Sequence, residues 1–137
     1  MGRFIRLWRT VIQFSNVRYE EVAVKESKRW ISEPCYETGR NVWHRIGLAD
    51  WQPYCVAGIW RRYEGDDGRT LIGMSMLTVN ADGHGVMGRM RKPGDEKRSV
   101  VILRPADYDE WLRTKDLEAA RAILQLFPAG EMSARPT

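Results

Sequence analysis

The alternation of apolar and polar residues predicts β-strands in the central part of the chain. Residues 41–46, 53–63 and 70–80 are rich in Val, Ile, Trp, Tyr and Thr, the residue types that favour strands. The Gly-Asp-Asp-Gly sequence at residues 65–68 is typical of a turn, and it predicts that the second and third segments form a hairpin. Residues 99–103 are short, apolar and β-branched, as in a buried strand.

The segments before these strands carry a helical spacing. Residues 3–12 repeat arginine every third position with apolar residues between, which predicts a short amphipathic helix, although a strand fits nearly as well. Residues 19–30 also predict a helix, in which Glu21 lies four residues before Lys25.

Two further helices are predicted after the strands. Residues 105–112 predict a helix that begins at Pro105, and residues 116–126 predict a second one capped by Asp116. The apolar residues expected to line one face of the second helix are Leu117, Ala120, Ile123 and Leu124. Residues 128–137 are rich in Pro, Ala, Gly and Ser and predict a flexible tail. Together these elements predict a β-rich α+β fold in one domain.

Length and charge agree with a single domain that has an ordinary surface or an anionic partner. The chain has 137 residues, with 22 Lys and Arg against 18 Asp and Glu, for a net charge of +4. The sequence contains no apolar run of the roughly 18 residues that a membrane span needs and no signal-peptide pattern. We therefore expect a cytoplasmic protein without a membrane partner.

The cysteines and histidines do not have the spacing of a metal site. Cys35 and Cys55 show no ligand-like spacing with His44 and His84, so no metal and no cofactor are expected. Both cysteines are predicted to be reduced and partly buried. Cys35 lies two residues after Glu33, so its thiol could also lie near that carboxylate.

Three short features remain as candidate chemistry, because the sequence contains no G-x-S-x-G, P-loop or G-x-G-x-x-G motif. The first is the N-x-R-x-E pattern that begins at Asn16, and the second is Ser-Glu-Pro at residues 32–34. The third is a basic loop, residues 87–98, which precedes an apolar segment. Its basic residues are Arg89, Arg91, Lys92, Lys97 and Arg98.

Five pieces in this order resemble the SOS-response-associated peptidase (SRAP) family. They are QPYCVAGIW at residues 52–60, MLTVNA at 76–81, the basic loop with KPGDEK at 92–97, VVIL at 100–103 and DYDEWL at 107–112. The resemblance covers roughly residues 14–128, and the KPGDEK version is similar to a branch found in bacterial and phage genomes. It implies a mixed sheet or open barrel with peripheral helices.

The resemblance also implies a function. Members of the family bind single-stranded DNA and trap abasic sites through an N-terminal cysteine, whose amine and thiol close a thiazolidine with the sugar aldehyde. The same machinery removes a short propeptide. An asparagine orients the nucleophile, a glutamate acts as acid and base, a histidine assists proton transfer, and arginines hold phosphates.

Carried over by position, Asn16 and Glu33 match the catalytic asparagine and glutamate, and Arg18 and Arg98 match phosphate-binding arginines. Arg91 stands where the family has its histidine, and an arginine cannot transfer protons near neutral pH. The remaining DNA-binding candidates are Arg89, Arg91 and Lys92.

The N-terminal end departs further from the family. Gly2 stands where the cysteine is expected, and the segment before the N-x-R-x-E pattern is short. We therefore expect an N-terminally shortened domain that has lost the first strand and its nucleophile. Stable crosslinking should then be absent, although an N-terminal α-amine could still form a Schiff base with an aldehyde.

Each candidate also has a structural interpretation. Asn16 fits a helix N-cap, Glu33 before a proline fits an exposed turn, and the basic loop fits an ordinary solvated surface.

Three functions fit these features. The first is a DNA-damage protein with residual imine-forming or lyase activity at abasic sites through Asn16 and Glu33. The second is a non-catalytic single-stranded DNA-binding module, and the third is a decayed prophage remnant. A monomer or a weak dimer through an exposed sheet edge is expected.

Overall fold

The structure is a computed structural model that describes residues 6–8 and 29–137, with the backbone alone for residues 6–8, 60–63 and 72–74. The strands, in chain order, are β1 (Arg6–Trp8), β2 (Ile31–Cys35), β3 (Val42–Leu48), β4 (Cys55–Val56), β5 (Gly58–Glu64), β6 (Thr70–Met76), β7 (Thr78–Asn80), β8 (Arg98–Val100), β9 (Ile102–Leu103) and β10 (Met132–Pro136). The α-helices are α1 (Tyr108–Arg113) and α2 (Leu117–Ile123), and single 3-10 turns span Met87–Arg89, Pro105–Asp107 and Ala129–Glu131. The fold is α+β, as predicted.

One sheet has the strand order β1-β5-β6 and contains the predicted hairpin. At its turn, the Gly68 amide donates to the Gly65 carbonyl at 2.9 Å, and Gly68 has a positive φ of 74° that favours glycine. Strand β1 pairs antiparallel with β5. The strand interpretation of the N-terminal pattern is therefore confirmed for residues 6–8, where the helix interpretation is wrong. The loss of the family's first strand and its nucleophile stays a prediction. The predicted helix over 19–30 lies outside the described residues except for 29 and 30, which are not helical.

A second antiparallel sheet has the order β10-β3-β2. Strand β2 was not predicted, because Pro34 argues against a strand in sequence; it is accommodated because β2 lies at the edge, where a missing N–H is tolerated. The prediction of a flexible tail over 128–137 is wrong, since Met132–Pro136 pairs with β3 along its length and Met132 is buried. Backbone pairing with a distant strand outweighs the loop-like composition.

Three of the predicted strands, at residues 53–63, 70–80 and 99–103, are each divided at one buried or half-buried residue, and the three dividing residues bond to one another. The Ala57 amide donates to the Val101 carbonyl at 2.8 Å, the Leu77 amide to the Ala57 carbonyl at 2.9 Å, and the Val101 amide to the Leu77 carbonyl at 3.1 Å. We call Ala57, Leu77 and Val101 the strand junction. On either side of it, β4 pairs with β9, β5 with β6, and β7 with β8.

Two apolar clusters form the core of the described residues. One lies against the β10-β3-β2 sheet and the basic loop and includes Cys35, Ile46, Met87 and Met90. The other lies under the helices and includes Cys55, Ala57, Val101, Trp111 and Ala120. Burial of both cysteines is confirmed, and both remain thiols.

The C-terminal helices follow the sequence closely. The 3-10 turn at Pro105–Asp107 leads into α1, and the Asp116 carboxylate accepts from the Glu118 amide at 2.9 Å as the N-cap of α2. Ala120 is buried as predicted, but Leu117 is 59% exposed. Leu117 is the first residue of α2 and is exposed to solvent. The apolar face of the helix therefore begins after Leu117, later than predicted.

No described helix has the length and apolar character needed to cross a membrane.

The contrast between two tryptophans tests the core assignment. Trp111 is 1% exposed and Trp43 is 50% exposed. Trp111→Ala should lower the free energy of unfolding by about 3–5 kcal/mol because it leaves a cavity. Trp43→Ala should lower it by less than about 1 kcal/mol. Urea denaturation measures both, and equal losses would contradict the packing.

Candidate functional site

An open cleft of about 380 Å³ lies between strand β2 and the basic loop. Its lining is polar and carries both signs of charge; the lining residues are Glu33, Pro34, Tyr36, Arg91, Lys92 and Asp95. Three of the predicted site residues, Glu33, Arg91 and Lys92, therefore meet here. Asn16 and Arg18 lie outside the described residues.

The basic loop is held against the core at its start. Met87 and Met90 are each 1% exposed and anchor the 3-10 turn. The His84 Nδ1 accepts from the Val86 and Met87 amides at 3.2 and 3.0 Å, which leaves Nε2–H to donate to the Phe127 carbonyl at 2.8 Å. With both ring nitrogens bonded to backbone, His84 supports the loop.

The middle of the loop is shaped by Arg91 and Lys97. Arg91 has a positive φ of 65°, which is uncommon for a residue with a side chain, and its amide donates to the Pro34 carbonyl. The Lys97 Nζ donates to the carbonyls of Met90, Arg91 and Lys92 at 2.7, 3.1 and 2.7 Å. Together these bonds hold Arg91 beside β2.

Glu33 and Arg91 form an ion pair at the cleft. The Arg91 Nε lies 3.5 Å from the Glu33 Oε2, and the Glu33 side chain is 20% exposed. Glu33 lies in a strand, so its interpretation as a turn residue is wrong. The two positions that the sequence motifs selected, far apart in the chain, are thus neighbours in space.

Other basic residues of the loop already have protein partners. The Arg89 guanidinium binds both carboxylate oxygens of Glu37, at 2.7 and 2.6 Å. The Arg98 guanidinium binds Glu96 and the hydroxyl and carbonyl of Thr78. To hold phosphates, as predicted, Arg89 and Arg98 would have to exchange these partners, whereas Arg91 and Lys92 line the cleft itself.

Two residues after Glu33, the Cys35 thiol faces the core. Cys35 is 3% exposed, and its Sγ donates to the Arg89 carbonyl at 3.6 Å. Cys35 does not line the cleft. This thiol is therefore a buried structural group.

Sequence reasoning missed Tyr36 and Glu37. The Lys92 Nζ lies 5.9 Å from the centre of the Tyr36 ring, and Glu37 binds Arg89. Their position directly after Glu33, Pro34 and Cys35 could have indicated that they lie near the cleft. That inference required β2 to be predicted as a strand.

The Arg89–Glu37 pair changes the acidity of its carboxylate. Hydrogen bonds from the Arg89 guanidinium, together with its positive charge, hold the pKa of Glu37 below its ordinary value, against a smaller opposing effect of desolvation. Glu37 also raises the pKa of Arg89. Away from the cleft, burial raises the pKa of the Tyr54 hydroxyl.

Comparisons with known proteins identify the family and agree with the fold. A model of the SOS response associated peptidase (SRAP) family matches residues 30–137. A search of curated proteins found no match. The family match connects the chain with the SOS response and with DNA damage.

Two solved structures are similar. A crystal structure of a protein from Bordetella bronchiseptica has a TM-score of 0.73 and 35% identity, over 80% of this chain and 51% of that one. A crystal structure of a protein from Bacteroides thetaiotaomicron has a TM-score of 0.69 and 20% identity, over 79% of this chain and 46% of that one, and supports the fold alone. The chain thus spans about half the length of either protein.

The Arg89–Glu37 ion pair predicts a lowered pKa of Glu37 that can be measured. Because the pKa of Glu37 is lowered on folding, the pair stabilises the fold above the unfolded-state pKa, and this contribution is lost as the pH falls through the lowered value. Arg89→Gln should raise the pKa of Glu37 towards 4.5, as followed by an NMR titration of its carboxyl group. Arg104→Gln, which removes a similar arginine from Glu131, should leave Glu37 unchanged. A Glu37 pKa that does not respond to Arg89→Gln would contradict the assignment.

Proposed function

Since the chain belongs to the SOS response associated peptidase family, we propose that it acts in the response to DNA damage by binding single-stranded DNA at an abasic site in the cleft beside Glu33. In this proposal the sugar and phosphate enter the cleft between β2 and the basic loop. Binding is the principal activity, and the proton-transfer chemistry of the family is impaired.

The observation that carries this proposal is the ion pair between Glu33 and Arg91. Arg91 stands at the position of a proton-transferring histidine in the resemblance, and its guanidinium stays protonated at neutral pH. A permanent cation at this position favours the binding of a phosphate over the transfer of a proton, because two guanidinium N–H groups can donate to two oxygens of one phosphate.

An anionic ligand in the cleft would have to share Arg91 with Glu33, because the lining carries the carboxylates of Glu33 and Asp95 as well as two cations. Lys92 is exposed at the edge of the same cleft and adds a second cation. The cleft volume is within the range of about 300–1,000 Å³ that is usual for small-molecule sites, so one sugar-phosphate unit fits. Lys97 holds the loop backbone, so less ordering is required when the ligand arrives.

The cysteines of the chain do not support the covalent chemistry of the family. A thiazolidine needs a thiol and an α-amine on one residue, and Cys35 and Cys55 are internal and buried. Glu33 is nevertheless present in the cleft and could assist the formation of an imine between an amine and the ring-opened sugar. Residual imine chemistry is therefore the second candidate function.

Binding is tested with a fluorescent single-stranded oligonucleotide that carries one abasic site. Arg91→Gln or Lys92→Gln should weaken binding by about tenfold or more, since each removes a charged contact. Each should also reduce the slope of log affinity against log salt by about 0.7. The matched control Arg121→Gln, on the surface of α2, should change neither quantity. Binding that is independent of salt, or equal losses in all three variants, would contradict the proposal.

Imine chemistry is tested by incubating the chain with abasic single-stranded DNA, with and without borohydride, on a denaturing gel. We expect no crosslinked band without borohydride, because neither cysteine can close the stable ring. A band that appears only with borohydride and is lost in Asn16→Ala and Glu33→Gln would establish the residual activity. A stable band without reductant would contradict the impaired chemistry.

A further inference from the structure

The outer face of the β10-β3-β2 sheet carries arginines without acidic partners. Strand register places Arg45 on β3 directly opposite Arg135 on β10, and both side chains are exposed. Among the described residues, neither has a carboxylate within ion-pair distance. This arrangement differs from the basic loop, where Arg89 and Arg98 are paired with glutamates. Like charges directly opposite each other destabilise a sheet, so an anion bound between the two guanidinium groups would stabilise this pair.

Both guanidinium groups are stacked on tryptophans. Arg45 lies over the Trp30 ring at 4.7 Å from its centre, and Arg135 lies over the Trp51 ring at 5.0 Å. Stacking uses the flat face of a guanidinium and leaves the N–H groups at its edge available. The stacking contacts therefore hold the two guanidinium groups in place before any ligand arrives.

The position of Trp51 depends on a strained backbone. Trp51 has a positive φ of 57°, and its ring lies close to Gly47 on the outer face, where a Cβ would be 3.1 Å from the ring. A Cβ at this position would also lie 2.6 Å from the Arg29 carbonyl oxygen, so the glycine is required chiefly by the close approach of that backbone, and the Trp51 ring packs against the space it leaves. Local strain of this kind is kept when the resulting surface has a use.

Trp43 connects this face to the cleft. Trp43 is 50% exposed, and it pairs across the strands with Pro34, which lines the cleft. Arg45 lies two residues after Trp43 on β3, about 7 Å further along the strand. Trp43 and Arg45 therefore share the outer face, which meets the cleft at Pro34, so an exposed ring suitable for base stacking lies beside two cations suitable for phosphates.

We propose that this outer face, defined by Trp43, Arg45 and Arg135, is a second contact surface for single-stranded DNA that extends the strand held in the cleft. The proposal rests on the proposed function, because it is the DNA in the cleft that the surface extends. Bases stack on Trp43, and phosphates bind between the two guanidinium groups. The surface determines how long a strand the protein requires.

The test compares two abasic oligonucleotides, one of about four nucleotides and one of about twelve, by fluorescence anisotropy over a range of salt concentrations. The double variant Arg45→Gln/Arg135→Gln should bind the long strand more weakly and reduce its salt slope by about 1.4, for two phosphates at about 0.7 each. Its affinity for the short strand should be unchanged. The matched double control is Arg113→Gln/Arg121→Gln, which removes two exposed charges from the helices and should alter neither.

Stacking is tested separately at Trp43. Trp43→Ala should weaken binding of the long strand by about five- to one-hundredfold, and Trp43→Phe should restore most of the loss. Circular dichroism of each variant shows whether the fold is intact. If Trp43→Phe were as weak as Trp43→Ala, stacking on this residue would be excluded.

The outcomes separate the two proposals. If the outer-face variants bind the long strand like the unaltered chain while Lys92→Gln weakens both strands, the outer face is not a contact and the proposed function stands. If only the outer-face variants weaken the long strand and Lys92→Gln has no effect, the cleft is not the binding site. An unaltered chain that binds neither strand overturns both proposals.

Discussion

The hydrogen bonds of the strand junction determine how the rest of the described structure is arranged. Ala57, Leu77 and Val101 each donate a backbone amide to one of the others, so three chain segments are tied at one point inside the protein. Because the junction holds the segments on both sides of it, β7 pairs with β8 and the Ala81 amide donates to the Lys97 carbonyl at 2.8 Å, which closes the segment that contains the basic loop. The loop is therefore fixed at its ends by backbone bonds, and its middle is positioned by Met87, Met90 and Lys97.

Interactions within the protein explain why a run of basic residues in the sequence does not form a uniformly basic surface. Lys97 donates hydrogen bonds to backbone carbonyls, and Arg89 and Arg98 form ion pairs with carboxylates. Arg91 and Lys92 are the cations of the loop that line the cleft. On the sheet face, by contrast, Arg45 and Arg135 have aromatic partners and no acidic ones among the described residues. The distribution of carboxylates, more than the number of arginines, decides where an anion can bind.

Glu33 and Arg91 connect the fold with its function. A glutamate at the edge of β2 and an arginine held in a left-handed conformation meet because the Arg91 amide bonds to the Pro34 carbonyl. A side chain that cannot release its proton stands beside the carboxylate, so the pair is suited to holding charge rather than moving it. Membership in the family and this single pair together support the proposal of a DNA-binding protein whose catalytic chemistry is reduced.

What the sequence determined by itself was local or periodic: the hairpin around residues 65–68, the Asp116 cap, and the burial of Cys35 and Cys55. The order of its motifs also indicated the family, and placed Glu33 and the basic loop in one site. Tertiary structure alone decided that β2 and β10 are strands, that the long strands divide at the junction, and which arginines have acidic partners. These features depend on partners distant in sequence, whose contacts outweigh local preferences such as those of Pro34 or the Pro- and Gly-containing C-terminal segment.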